Sequence, residues 1–182
     1  MIYGERVRLR ANEREDIPRF VQWLNDPEVI AGLMVTLPMS SWDETRWFES
    51  KASQPAEERP LAIDVRTPDG GWKHIGNLGL EGIEWKNRAA SFGIFIGEKT
   101  FWNQGYGSEA TRLALKHGFE TLNLNRIFLH VYESNPRAMR AYEKVGFVKE
   151  GIMREARYIN GVYINVVLMS ILRSEWDKLP GA

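Results

Sequence analysis

The chain has 182 residues and a mass of 21.0 kDa, and its 24 Lys and Arg balance its 24 Asp and Glu, so the formal charge at pH 7 is zero. That length suits a single domain over residues 1–182 with a real core, and the charge balance argues against a nucleic-acid module that works by phosphate neutralisation. Cysteine is absent, which excludes disulfides, thiolate catalysis and cysteine-ligated metal sites and suits a reducing cytoplasm.

In chain order, residues 2–10 alternate Ile2, Val7 and Leu9 with charged residues and predict a strand. The stretch Met1–Arg10 lacks the apolar core of a signal peptide. Ile17, Phe20, Val21 and Leu24 predict a helix over 15–25, ended by Asn25-Asp26-Pro27. Ser41 and Glu44 form a capping-box pattern for a second helix reaching about Ser53. Leu61–Arg66 reads as a strand, followed by a turn at Pro68–Gly71. His74–Glu84 and Ala89–Ile96 read as a long hairpin around Trp85–Arg88. A helix over Ser108–Leu122 and a strand over Ile127–Val131 come next. Asn135 as N-cap, Pro136 at the first helical position and Gly146 beyond the last turn bound a further helix. Strands near Phe147–Glu155 and Tyr163–Leu172 meet at Asn160-Gly161, and Trp176 sits in a short helical tail. The apolar run Val166–Leu172 is too short to cross a bilayer, so a soluble cytoplasmic protein with no membrane partner is expected. The order predicts an α/β (α+β) fold: one mixed, mostly antiparallel central sheet flanked by helices.

Two motifs carry chemistry. Phe95-Ile96-Gly97 leads into Trp102-Asn103-Gln104-Gly105-Tyr106-Gly107-Ser108, an apolar strand feeding a glycine loop that opens a helix. Backbone N–H groups at such a helix start can face one anion, and Gly105 and Gly107 allow close approach of a pyrophosphate. The Gly-Lys-Ser/Thr ending of a nucleotide P-loop is missing. In the second motif, Asn135 through Phe147, Ala138, Tyr142 and Val145 share a helix face, so Tyr142 points inward. A phenol there can protonate a departing thiolate. Read alone, Tyr142 also fits a core tyrosine, and Asn135 a simple cap.

Together the two motifs resemble the GNAT acyltransferase superfamily, within it the branch of RimJ/RimL-type ribosomal-protein and spermidine acetyltransferases. Asn25-Asp26-Pro27-Glu28, Ile75–Leu80, Gly105–Ala110 and the Asn135…Tyr142…Gly146-Phe147 block carry the likeness over nearly the whole chain. The resemblance implies acetyl-CoA as donor. It implies that Ile94, Phe95 and Ile96 pair with the pantetheine arm, that N–H groups of Asn103, Gln104, Gly105, Tyr106, Gly107 and Ser108 hold the pyrophosphate, that Asn135 bonds the arm and that Tyr142 sits near the sulfur. Trp102 departs from the Gln or Arg common in that loop.

The implied acceptor is a primary amine, a protein N-terminus or a small molecule, that attacks the thioester directly. An alkyl amine is neutral only about one part in a thousand at pH 7, a deficit of roughly 4 kcal/mol, so the site must remove a proton. Candidate bases are Glu81, Glu84 and His130, with Glu81 as the one named. Strict alternation puts Glu81 with Asn77 and Ile83 on one face and Glu84 with Leu80 on the other. The region expected to hold the acceptor cleft offers Trp23, Asp26, Trp42, Trp47, Tyr158 and Asn165, whose aromatics fit a core equally well. Spermidine acetyltransferases carry a carboxylate where this chain has Ser91, which lowers the polyamine reading, and Asn165 stands where relatives commonly have Asp. A homodimer through the C-terminal hairpin follows from the resemblance alone. His74, His117 and His130 show no ligand spacing, so no metal is expected. The alternative is an acyl-CoA-binding module without turnover.

Overall fold

A computed structural model describes residues 1–33, 35 and 38–180. The predicted first strand is two: β1 (Ile2–Tyr3) folds back on β2 (Val7–Ala11) with Tyr3 opposite Arg8, because the chain turns at Gly4, whose N–H donates to the Val7 carbonyl. A 3-10 turn at Arg14–Asp16 leads into α1 (Ile17–Leu24), and Asp26 then caps the short α2 (Pro27–Ile30). The capping box of α3 (Ser41–Ala52) lies one residue earlier than the sequence suggests. Ser40 accepts from the Asp43 N–H, and the Asp43 carboxylate accepts from the Ser40 N–H. Glu44, freed of that role, is buried.

Strands β3 (Leu61–Arg66), β4 (Trp72–Glu84) and β5 (Ala89–Ile96) form the antiparallel middle of the sheet. α4 (Tyr106–Lys116) continues as one wide π turn over His117–Thr121. β6 (Arg126–Tyr132) and α5 (Pro136–Lys144) follow, with Asn135 capping the Ala138 N–H at 3.1 Å. β7 (Val148–Ile159) and β8 (Val162–Leu172) are joined by Asn160 and Gly161, both left-handed as a tight hairpin turn requires, and α6 (Arg173–Trp176) ends the fold. Among the described residues the sheet has eight strands in the order β1-β2-β3-β4-β5-β6-β8-β7, antiparallel except for β5 with β6.

Successive β5 residues face opposite layers. Ile94 and Ile96 join the main core with Ala110, Leu115 and Phe119, whereas Phe95 joins a smaller cluster with Phe20, Trp23 and Trp47. α4 and α5 therefore cover one face of the sheet, and α1 to α3 the other. Under the second cluster lies a charged network. The buried Asp16 carboxylate accepts from both Arg10 Nη atoms at 2.7 and 2.8 Å and lies 3.0 Å from His74 Nδ1.

Candidate active site

The decisive local feature is a parallel pair that stops early. β5 and β6 pair at Ala89–Arg126, Ala90–Ile127 and Ser91–Phe128 and then separate. The β6-facing backbone edge of residues 92–96 is left without a strand partner. A cleft of about 1350 Å³ fills the opening, floored by β5 and walled by the glycine loop, the start of α5 and residues 28–33.

Of the predicted residues, Glu81, Ile94, Phe95, Ile96, Asn103, Gly105, Gly107, Ser108, Asn135 and Tyr142 line this cleft. Gln104 and Tyr106 do not. The Gln104 amide donates to the Thr100 carbonyl at 2.6 Å, and the Tyr106 ring lies against Phe101 and the Arg6 guanidinium. Only their backbone can serve the loop. Gly105 takes φ +85°, a left-handed turn that starts α4. Gly107 has no such constraint: a Cβ there would meet nothing closer than Ile96 Cγ1 at 3.7 Å. Its bare backbone faces the cleft, which fits a phosphate group held at the helix start.

Trp102 is also in the cleft wall, and its indole N–H donates to the Ile96 carbonyl at 2.7 Å. Of the three strand residues expected to bond a ligand, Ile96 thus already has an internal partner, and Ile94 and Phe95 form the open stretch. The Arg137 guanidinium stacks over the Trp102 ring at 3.9 Å, joining the glycine loop to α5.

Tyr142 packs edge-on against Phe92 and Phe147. Burial pushes its hydroxyl up to about 12, and among the described residues that hydroxyl has no hydrogen-bond partner. Asn135 uses Oδ1 for the helix cap, while its Nδ2 closes on Gly32, where a Cβ would come within 2.7 Å.

A bulge corrects the expected alternation on β4. The register shifts between Glu81 and Glu84, with Gly82 at φ +61°, so Ile83 joins Leu78 and Leu80 in the main core instead of sharing a face with Glu81. Glu81 stands opposite Ser91 on the α1–α3 side, where Lys51 of α3 donates to its carboxylate at 2.8 Å. Glu84 accepts from Asn87 and borders a separate groove of about 430 Å³ with His130 and Arg126. His130 is exposed and borders both.

None of the six residues named for the acceptor region lines the cleft. Trp23 is buried, Asp26 pairs with Lys99, Trp42 is exposed under Arg46, and Trp47 packs on Phe20. Tyr158 stacks on Tyr163, and Asn165 bridges Glu133 and the Glu155 N–H. Val29, Leu33, Tyr132 and Met153 take that place. Their signal in the sequence was only that of ordinary apolar residues.

The sequence profile described as an acetyltransferase (GNAT) domain matches residues 6–148. The chain belongs to the GNAT acetyltransferase family. Among relatives, it is 36% identical over 175 residues to spermidine N(1)-acetyltransferase of Vibrio cholerae, covering 95% of this chain and 96% of that one. It is 30% identical over 178 residues to the uncharacterized N-acetyltransferase p20 of Bacillus licheniformis, covering 96% of this chain and 97% of that one. The crystal structure of the V. cholerae spermidine N-acetyltransferase with CoA and spermine superposes with a TM-score of 0.83 at 31% identity, covering 96% of this chain and 100% of that chain. This GNAT protein is an acetyl-CoA-dependent N-acetyltransferase whose second substrate is an amine. Among the described residues no cluster of His, Asp or Glu can hold a metal, and no helix is long and apolar enough to cross a membrane.

Proposed function

We propose that the cleft holds acetyl-CoA along β5 and transfers its acetyl group to a primary amine by direct attack. The observation that carries this is the opening between β5 and β6, which brings an unpaired strand edge, a bare glycine loop at a helix start and an unpartnered phenol to one space. The edge at Ile94 and Phe95 pairs with the pantetheine amides as an added strand does. The Asn103–Ser108 backbone takes the pyrophosphate, and Asn135 Nδ2 bonds the arm. The donor supplies an activated acyl thioester, and the chain's groups move the protons.

Glu81 and Tyr142 stand on opposite sheet faces. The amine enters from the α1–α3 side, where Glu81 takes its proton directly or through a water. Tyr142 donates its proton to the leaving sulfur from the α5 side. A strand N–H near Phe95 steadies the developing oxyanion. The relatives' names and the paired motifs support the branch that contains ribosomal-protein and spermidine acetyltransferases. The acceptor class is decided by acetyl-CoA-dependent thiol release with polyamines, small monoamines and peptides with free N-termini. Release with peptides alone makes this a protein N-terminal acetyltransferase, and release with small amines a small-molecule enzyme. Silence across the panel with intact CoA binding favours the non-catalytic module.

A homodimer is part of the proposal. β7 is an edge strand, and Ile152, Met153, Tyr158, Val162 and Tyr163 of its hairpin are exposed. Sedimentation showing only monomer at micromolar concentration overturns it.

A further inference from the structure

Arg6 lies in the turn between β1 and β2, outside the cleft, yet it holds the glycine loop in four ways. Its backbone N–H and its Nε donate to the two oxygens of Glu109, at 2.7 and 3.0 Å. Its Nη1 donates to the Gln104 carbonyl at 3.3 Å, and its guanidinium lies 4.6 Å over the Tyr106 ring. The Val7 N–H adds a bond to Glu109 at 3.0 Å. Gln104, Tyr106 and Glu109 alternate along the loop and first turn of α4 with the residues that face the cleft. They are also residues whose side chains the cleft does not use. The contact is compact, since a Cβ on Gly105 would sit 3.4 Å from Arg6 Nη2.

We propose that Arg6 is a positioning residue: its planar fork locks the 104–109 backbone in the shape that receives the donor's pyrophosphate. This rests on the cofactor reading of the cleft given above. A loop left to sample other conformations must be ordered at binding, and that cost appears as lost affinity. The role belongs to the guanidinium geometry, because an ammonium cannot reach Glu109, Gln104 and the Tyr106 face together.

The test compares the unaltered protein with Arg6→Ala and Arg6→Lys by calorimetric titration with CoA, and by kcat/KM with acetyl-CoA against S-acetyl-pantetheine, which lacks the pyrophosphate. Both variants should weaken CoA about tenfold, with kcat/KM for S-acetyl-pantetheine moving less than twofold. Amides of residues 103–108 should exchange faster in both. Should Arg6→Ala lose its fold, Glu109→Gln gives the same selective loss, smaller in size. Unchanged CoA affinity in Arg6→Ala, equal losses with both donors, or full rescue by lysine overturns the role of Arg6 alone. Failure of the unaltered protein to bind CoA overturns the cofactor reading and the role of Arg6 with it.

Discussion

The indole N–H of Trp102 bonds the carbonyl of Ile96 at 2.7 Å, tying the glycine loop back to the last residue of β5. The residue that departs from the family pattern is thus a structural tie between the two parts of the proposed donor site, with Arg137 stacked on its outer face. Trp102→Phe keeps an aromatic face for Arg137 and removes the bond. The expected result is a Kd for acetyl-CoA about fivefold higher, the worth of one hydrogen bond of about 1 kcal/mol, with a smaller change in kcat. Titration calorimetry measures the first and initial rates the second.

Glu81 and Glu84 are both candidate bases in the sequence, with Glu81 the one named, and the bulge at Gly82 separates them. Glu81 lines the cleft and Glu84 does not. Glu81→Gln should lower kcat/KM for the acceptor at least tenfold at pH 7 and move the rising limb of the pH profile upward, since turnover then waits on amine already neutral in solution. Glu84→Gln should stay within twofold. Equal effects of the two remove Glu81 from the role of base.

Burial lifts the Tyr142 hydroxyl to about 12. At pH 10 it is then about 99% protonated, where an ordinary phenol is half ionised. In the proposed role of acid, Tyr142 therefore stays in its donating form while the amine loses its proton. The rate profile should rise with pH and show no fall from Tyr142 below about pH 11. A descending limb near pH 10 that disappears in Tyr142→Phe contradicts this.

The Arg10 guanidinium, with His74 and the Glu13 N–H, holds the Asp16 carboxyl far below the usual carboxylate range, against the opposing effect of burial. A depressed folded-state value means stability that is fully present above the unfolded value near 3.9 and is lost as pH falls below it. Asp16→Asn should cost roughly 3 kcal/mol at pH 7, as for a buried ion pair with one partner removed. The gap to the unaltered protein should narrow below about pH 4 in urea titrations.

Much of the fold was legible because its signals are local. Asn160-Gly161 marks a hairpin, and Asn135-Pro136 with Gly146 bounds α5 within a residue. The glycine loop and Tyr142 were legible as a pair. The rest depended on partners far along the chain. Arg6 and Glu109 are 103 residues apart, and nothing near either residue announces the other. The break at Gly4 and the bulge at Gly82 each rest on a single glycine inside an alternating run, where periodicity alone continues the strand. In the sequence Trp23 and Trp47 fit a cleft or a core equally, and contacts with Phe20, His74 and Phe95 place them in a second core.

The most direct measurement is acetyl transfer by Tyr142→Phe beside the unaltered protein, with an acceptor found in the amine panel and acetyl-CoA affinity measured on both. A tenfold or greater loss of kcat with affinity unchanged is the predicted result. Full turnover by the variant contradicts the proposed chemistry of the cleft.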